Sequence, residues 1–319
     1  MNIILAILIF ITSLALIIFG GNKLVDSAVA IAKRFKISTA VIGATIVSIG
    51  TTIPELLVSI FSVSSGASNL AVGNAFGSII FNTCVIGGLL LCFCKIIIKQ
   101  GWNYEYLLLM GILIIIFMLS LGGNLGIASS ILLLFVFVAF MLLNFFKAKK
   151  KREQDAQIKY PKSIWFYVLF FIIGAVCVGG GSYFMVESAK YLARLAGMSE
   201  TFIGLTIVSF GTSLPELVTT INAIRKKESG LGLGNIVGAN VLNSTLFVGL
   251  TGVLSGGLAI SLETLYITIP VAIASVIIML LPTLMYHKSF KWQGIMLFVL
   301  YIIYYIYLIL NALGVWGLF

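Results

Sequence analysis

Two acids in this chain stand where acids are costly. Glu55 lies in "GTTIPELLVS" (50–59) and Glu216 in "GTSLPELVTT" (211–220). Each sits inside a long apolar run, directly after a proline and among hydroxyl residues. Asp26, Glu105, Glu187, Glu200 and Glu263 fall near the ends of apolar segments, and Glu153, Asp155 and Glu228 fall in connectors. A carboxylate at membrane depth is expensive and by default marks a functional position. Residues three and four apart share a helix face. Ser48, Thr51, Thr52, Glu55 and Ser59 therefore make one oxygen-rich stripe, and Ser209, Thr212, Ser213, Glu216 and Thr220 make another. Further on, "GNAFGSIIFN" (73–82) places Asn74, Ser78 and Asn82 on one helix face, and "GNIVGANVLN" (234–243) repeats Asn235 and Asn243. All these donors are hard oxygen, which suits Ca²⁺ and Na⁺ and does not suit Zn²⁺ or copper. Two ionised carboxylates carry −2. One Ca²⁺, sodium ions or protons can each neutralise that charge, so they compete. Competition at one site exposed alternately to either side of a membrane produces antiport.

The prolines suggest how the oxygens are positioned. Pro54 has no N–H, and its ring crowds the carbonyl of Gly50 at i−4; Pro215 does the same to Gly211. Unwound backbone at membrane depth survives only against protein or a watery cavity, where its carbonyls can coordinate cations. The glycines at 73 and 77, and at 234 and 238, form small-xxx-small patterns that let helices approach closely. Their expected role is packing that brings the asparagines toward the glutamates.

The chain has 319 residues, 61% hydrophobic and 9% charged. Soluble domains are about 45–50% apolar and about 25% charged. The expected class is an all-α polytopic membrane protein. About 20 apolar residues span a bilayer as a helix. Ten spans are predicted, at 3–21, 40–62, 70–94, 103–120, 125–146, 164–185, 202–223, 232–255, 264–284 and 293–315. With no basic n-region and no small-residue cleavage site, the first span is expected to stay in place. The one sizeable polar connector, "KAKKKREQDAQIKYPK" (147–162), divides the chain into a first five-helix repeat (1–146) and a second (163–319). The positive-inside rule puts this connector in the cytoplasm. Both termini are then outside, and 18 of the 20 basic residues fall on one side, only Lys190 and Arg194 on the other. The connector is expected to be a solvated orientation signal. The net charge of +10 serves topology rather than nucleic acid.

The two halves repeat. Glu55 and Glu216 are 161 apart (216 − 55), and at that offset 43–59 and 204–220 share 10 of 17 residues. The register runs on to Gly73/Gly234, Asn74/Asn235, Gly77/Gly238 and Asn82/Asn243 without a gap. Five spans per half is an odd number, so the second copy enters the membrane upside down. Such inverted-topology repeats are typical of secondary transporters, with sites near the midplane where broken helices meet. Cys84, Cys92, Cys94 and Cys177 lie in apolar runs without metal-site spacing and read as packing residues. His287 reads as a solvated loop residue.

These paired motifs resemble the cation/calcium exchanger superfamily, specifically prokaryotic sodium/calcium exchangers, and the resemblance covers essentially the whole chain. It rests on two five-span halves, each with G-T-[TS]-x-P-E followed by G-N-x-x-G. The resemblance implies alternating access, in which the first and sixth spans slide past a rigid remainder. It also implies Glu55 and Glu216 as central ligands, Thr51 and Thr212 as flanking ligands, and Thr52 and Ser213 as neighbouring hydroxyls. Backbone carbonyls are implied at Ser48 and Ser209, with Ser78, Asn82 and Asn243 lining the site. Two departures stand out. Where the family often has Ser-Asn, the first copy reads Ser78-Ile79 and the second Ala239-Asn240. Ala239 lacks a hydroxyl, which weakens a peripheral sodium position. Asn243 stands where many relatives, including the potassium-dependent branch, carry Asp; the site charge stays at −2, and potassium co-transport is not expected. The expectation is electrogenic Na⁺/Ca²⁺ antiport, exporting calcium from a prokaryote across its plasma membrane, with no cofactor and with lipid as surroundings; a monomer is the working assumption. Ca²⁺/H⁺ antiport on the same fold is the alternative. The inverted repeat argues against a passive channel, and without a nucleophile–base set an enzyme is not expected.

Overall fold

A computed structural model describes residues 2–35, 38–64, 66, 68–97, 104–150, 163–195 and 209–312, with the side chains of Pro54 and Ser209 among those left out. Most of the connector 147–162 and the predicted start of the seventh span, 202–208, lie outside the described residues.

The architecture is helical. Helix α1 runs Ile3–Phe35. A bent pair follows, α2 (Thr39–Thr51) and a second piece that begins at Ile53, α3 (Ile53–Ser64). Then come α4 (Ala71–Phe93), α5 (Tyr104–Leu119), α6 (Ile127–Lys150) and α7 (Ile164–Leu195). The second motif forms α8 (Ser209–Thr212) and α9 (Leu214–Arg225). The chain continues as α10 (Ser229–Leu254), α11 (Thr264–Tyr286) and α12 (Lys291–Ala312). Among the described residues, 7 helices are long and apolar enough to cross a membrane, or 8 with the bent pair as one span; α5 is a shorter apolar helix. The exposed large side chains are mostly Ile, Leu, Phe and Val, the surface that lipid hydrocarbon covers.

Two helices outrun their predicted spans. With 33 residues, α1 is about 50 Å long. Beyond Gly20 it stays helical because Leu24, Val25 and Ala28 bury one face, so Lys23, Asp26 and Arg34 lie on helix rather than in a connector. Likewise α7 extends to Leu195. These helices pack on each other with no room for side chains at the crossing. A Cβ on Gly20 would lie 2.7 Å from the Gly174 carbonyl, and one on Gly181 would lie 3.0 Å from the Ser13 carbonyl. The two contacts are related by the 161-residue offset.

The centre is α4 and α10, the most buried helices, with α2 pressed against α10 backbone to backbone. A Cβ on Gly238 would lie 2.5 Å from the Ala44 carbonyl, so glycine is required there. Both central helices widen into π-turns at the same repeat position, Asn82–Gly87 and Asn243–Phe247. Single π-turns within α-helices occur frequently at functional sites. A further π-turn, Thr264–Thr268, precedes Pro270, whose missing N–H removes a regular helical bond. Within α11, Pro282 also frees the Ile278 carbonyl, and Gln293 of α12 donates its amide to it at 2.9 Å.

Three contacts join segments that follow the predicted spans. Asp26 pairs with Lys226. Ser289 and Ile96 exchange hydrogen bonds, each 2.8 Å, beside a bridge from Ile97 to Lys288. Strand β1 (Asn124–Leu125) pairs antiparallel with β2 (Leu258–Ala259). His287 is exposed and ends α11 in a left-handed turn, φ 55°. All four cysteines are free thiols; Cys84 is buried.

Candidate functional site

The site begins at two matching breaks. After α2, Thr52 takes φ −89°, ψ 5°; after α8, Ser213 takes φ −88°, ψ 3°. Each is followed, two residues on, by proline and then by the glutamate, which sits in the first turn of α3 or α9. The bend between α2 and α3 is 51°. The repeat thus recurs in backbone dihedrals as well as in sequence.

The asparagines join the halves. Thr51 donates to Asn235 Oδ1 at 3.3 Å, and its counterpart Thr212 donates to Asn74 Oδ1 at 3.4 Å. The reciprocal pair fastens each motif to the central helix of the opposite half. Asn74 and Asn235 were expected to approach the glutamates, but their role as cross-half clamps was not foreseen. The signal was present: both pairs obey the 161 offset. A third bond crosses directly, from Ser213 Oγ to Glu55 Oε1 at 3.1 Å.

Of the expected site residues, Glu55, Glu216, Thr51, Thr52, Thr212, Ser213, Ser48, Ser78, Asn82 and Asn243 are all buried, none more than 2% exposed. Ser209 opens α8, but its side chain is outside the described residues. Glu105, expected near a span end, is also buried, at 6%. The Ser48 carbonyl accepts from Thr52 N at 2.9 Å, Thr52 Oγ1 at 2.7 Å and Thr51 Oγ1 at 3.3 Å. Those hydroxyls must turn away before that carbonyl can face a cation.

Buried polar atoms normally find partners. Here Glu55 Oε2, both carboxylate oxygens of Glu216, Ser78 Oγ and both amide ends of Asn82 and Asn243 have none. An unpaired buried charge costs several kcal/mol. The repulsion between Glu55 and Glu216 adds to this when both are ionised. A hard cation relieves both penalties, because carboxylate, hydroxyl and amide oxygens are the ligands such cations take. At the two breaks the backbones agree and the halves differ in their side-chain bonds. Asn74 Nδ2 donates to the Glu55 carbonyl and to Ser59 Oγ, both at 3.2 Å, whereas Asn235 Nδ2 has no partner.

These features define an integral membrane protein with an internal, oxygen-lined site built from two related halves. The profile of the family described as "Sodium/calcium exchanger protein" matches residues 5–146 and 166–310, and the chain belongs to that family. An uncharacterized membrane protein of Methanocaldococcus jannaschii is 30% identical over 91% of this chain and 94% of its own length. The sodium/calcium exchanger MaX1 of Methanosarcina acetivorans is 31% identical over 91% of this chain and 94% of its own. A solved structure of the sodium-calcium exchanger NCX_Mj, soaked with Na⁺ and Sr²⁺, superposes with a TM-score of 0.82 at 29% identity, covering 95% of this chain and 98% of that one.

Proposed function

We propose that the protein is a secondary active antiporter that exchanges Na⁺ for Ca²⁺ by alternating access. The ions bind between Glu55 and Glu216, with Thr51, Thr52, Thr212, Ser213, Ser78, Asn82 and Asn243 and the carbonyls of Ser48 and Ser209 as the surrounding set. The observation that carries this reading is the pair of wholly buried carboxylates with three of their four oxygens unpartnered. Family membership and the likeness to NCX_Mj, a protein soaked with sodium, strontium and calcium, support the choice of ions.

The proposed topology is ten spans in two inverted five-span repeats, with both termini outside and 147–162 in the cytoplasm. The three contacts between segments that follow the predicted spans support it. Asp26 and Lys226 follow the first and seventh spans, and Ile96 and Ser289 follow the third and ninth; all four are assigned inside. The β1–β2 pair joins the connectors after the fourth and eighth spans, both assigned outside. Sliding of α1 and α7 is the proposed gate, and their smooth glycine crossing supports it.

The test is calcium uptake into Na⁺-loaded proteoliposomes, with and without a pH gradient. Uptake driven by outward Na⁺ and electrically charged is the expected result. Uptake driven by protons and indifferent to sodium would replace this reading with Ca²⁺/H⁺ antiport.

A further inference from the structure

Beyond the central set, α9 carries two hydroxyls that have no partner among the described residues. Buried Ser and Thr on helices ordinarily bond back to the carbonyl three or four residues earlier. Thr45, Thr52, Ser62, Thr245 and Thr283 do so here. Thr219 and Thr220 have no partner, although both are 0% exposed. They stand three and four residues after Glu216, on its side of the helix and about 5 Å further along the axis. The Thr220 methyl faces α10, 3.5 Å from where a Cβ on Gly232 would lie. Both oxygens of Glu216 are themselves unpartnered.

The first half has no such arrangement. Val58 stands at the position of Thr219, and Ser59, at the position of Thr220, is held by Asn74. The free hydroxyls therefore lie on one side of the central site only. That side is the one toward which α9 runs, ending in Arg225, Lys226 and Lys227, the face assigned to the cytoplasm.

We propose that Thr219 and Thr220, together with Glu216, form an additional Na⁺-binding step on the cytoplasmic side of the central site. This rests on the exchange reading above. One carboxylate and two neutral hydroxyls balance a monovalent cation. They offer too few oxygens for Ca²⁺, which takes 6–8. A sodium ion held there would be the last to leave toward, or the first to enter from, the cytoplasm.

The test uses the full chain with both residues changed, Thr219→Val and Thr220→Val, which keeps shape and removes oxygen. Half-saturating Na⁺ is measured in proteoliposomes from each side of the membrane in turn. Losing two hydroxyl ligands is expected to raise the cytoplasmic-face value about tenfold. The external-face value stays within twofold. Thr219→Ser with Thr220→Ser should behave as the unaltered protein. A change below twofold, an equal change from both faces, or the same loss in the serine variant overturns the proposal. In parallel, the unfolding midpoint of detergent-purified protein is followed against NaCl without calcium. The valine variant should need about tenfold more Na⁺ for the same upward shift; an unchanged response also overturns the step. Should the unaltered protein show no Na⁺-driven calcium uptake, the exchange reading fails, and this binding arm still decides the subsite.

Discussion

Replacing Glu216 with glutamine separates a structural carboxylate from an ion-binding one. Among the described residues only the Thr51 hydroxyl stands near the Glu216 carboxylate, so the isosteric change gives up at most one weak hydrogen bond. It removes the repulsion that Glu216 exerts on Glu55. The unfolding midpoint without cation should therefore stay level or rise. Cation binding should collapse. A carboxylate oxygen about 2.4 Å from Ca²⁺ gains roughly 14 kcal/mol at an effective dielectric constant of about 20. Desolvation offsets several kcal/mol of this for each ion. A net loss of about 4 kcal/mol or more remains, or about a thousandfold in affinity. The assay is thermal unfolding of detergent-purified protein against calcium concentration. At one hundred times its dissociation constant, calcium stabilises the unaltered protein by about 2.7 kcal/mol. The same concentration should leave the Glu216→Gln midpoint in place and support no exchange in proteoliposomes. A cation-free variant destabilised by more than about 2 kcal/mol, or one retaining the calcium shift, would refute the reasoning, because Glu216 would then be held by the protein for its own stability.

The paired asparagines should differ in weight. Asn74→Ala removes three hydrogen bonds and Asn235→Ala removes one, so the first should cost about 2 kcal/mol more in denaturant unfolding; equal costs would contradict the bonding described. Gly238→Ala drives a methyl to 2.5 Å from the Ala44 carbonyl and should cost about 3 kcal/mol or more, seen as lost yield of folded protein in detergent. With Asn243 holding the site at −2, calcium uptake should be independent of potassium; potassium-dependent uptake would show that a third carboxylate is not what potassium requires. Thr52→Ser removes the difference in hydroxyl residue between the two breaks. It should bring half-saturating calcium from the two faces of the membrane closer by about fivefold, the worth of one hydrogen bond, and an unchanged ratio would count against a role for that difference.

The residues that matter most for the site were readable because membrane burial makes polarity conspicuous. Glu55 and Glu216 stand out from apolar runs, and the 161 offset recovers their surroundings residue by residue. Helix ends were less readable. Hydropathy stops α1 near Gly20 because Lys23 and Asp26 interrupt the apolar run, whereas burial of Leu24, Val25 and Ala28 against neighbouring helices continues it. The π-turns at Asn82 and Asn243 had no sequence signature, because a one-residue widening alters hydrogen-bond register without altering composition. The Thr–Asn clamps needed both halves in place, since each joins residues more than 130 positions apart.

What sequence repetition cannot supply is the difference between the halves, and that difference bears on transport. The backbone breaks agree to within 2° at Thr52 and Ser213, so the asymmetry does not originate there. It appears in the hydroxyls. Thr52, β-branched and restricted at χ1, bonds back to the Ser48 carbonyl, which satisfies Thr in a helix. Ser213, without the methyl, reaches across to Glu55 instead. Around it, Asn74 closes on Ser59 while Asn235, Thr219 and Thr220 stay unpartnered. Two identical halves inserted in opposite senses would treat the two sides of the membrane alike. A carrier that opens to one side at a time must place its halves in different states. Small substitutions at 52, 58, 220 and 239 against a shared backbone give these halves different bonding at little cost to the fold. In the proposed antiporter, those positions decide how sodium leaves on one side, whereas the glutamates decide only that a cation binds.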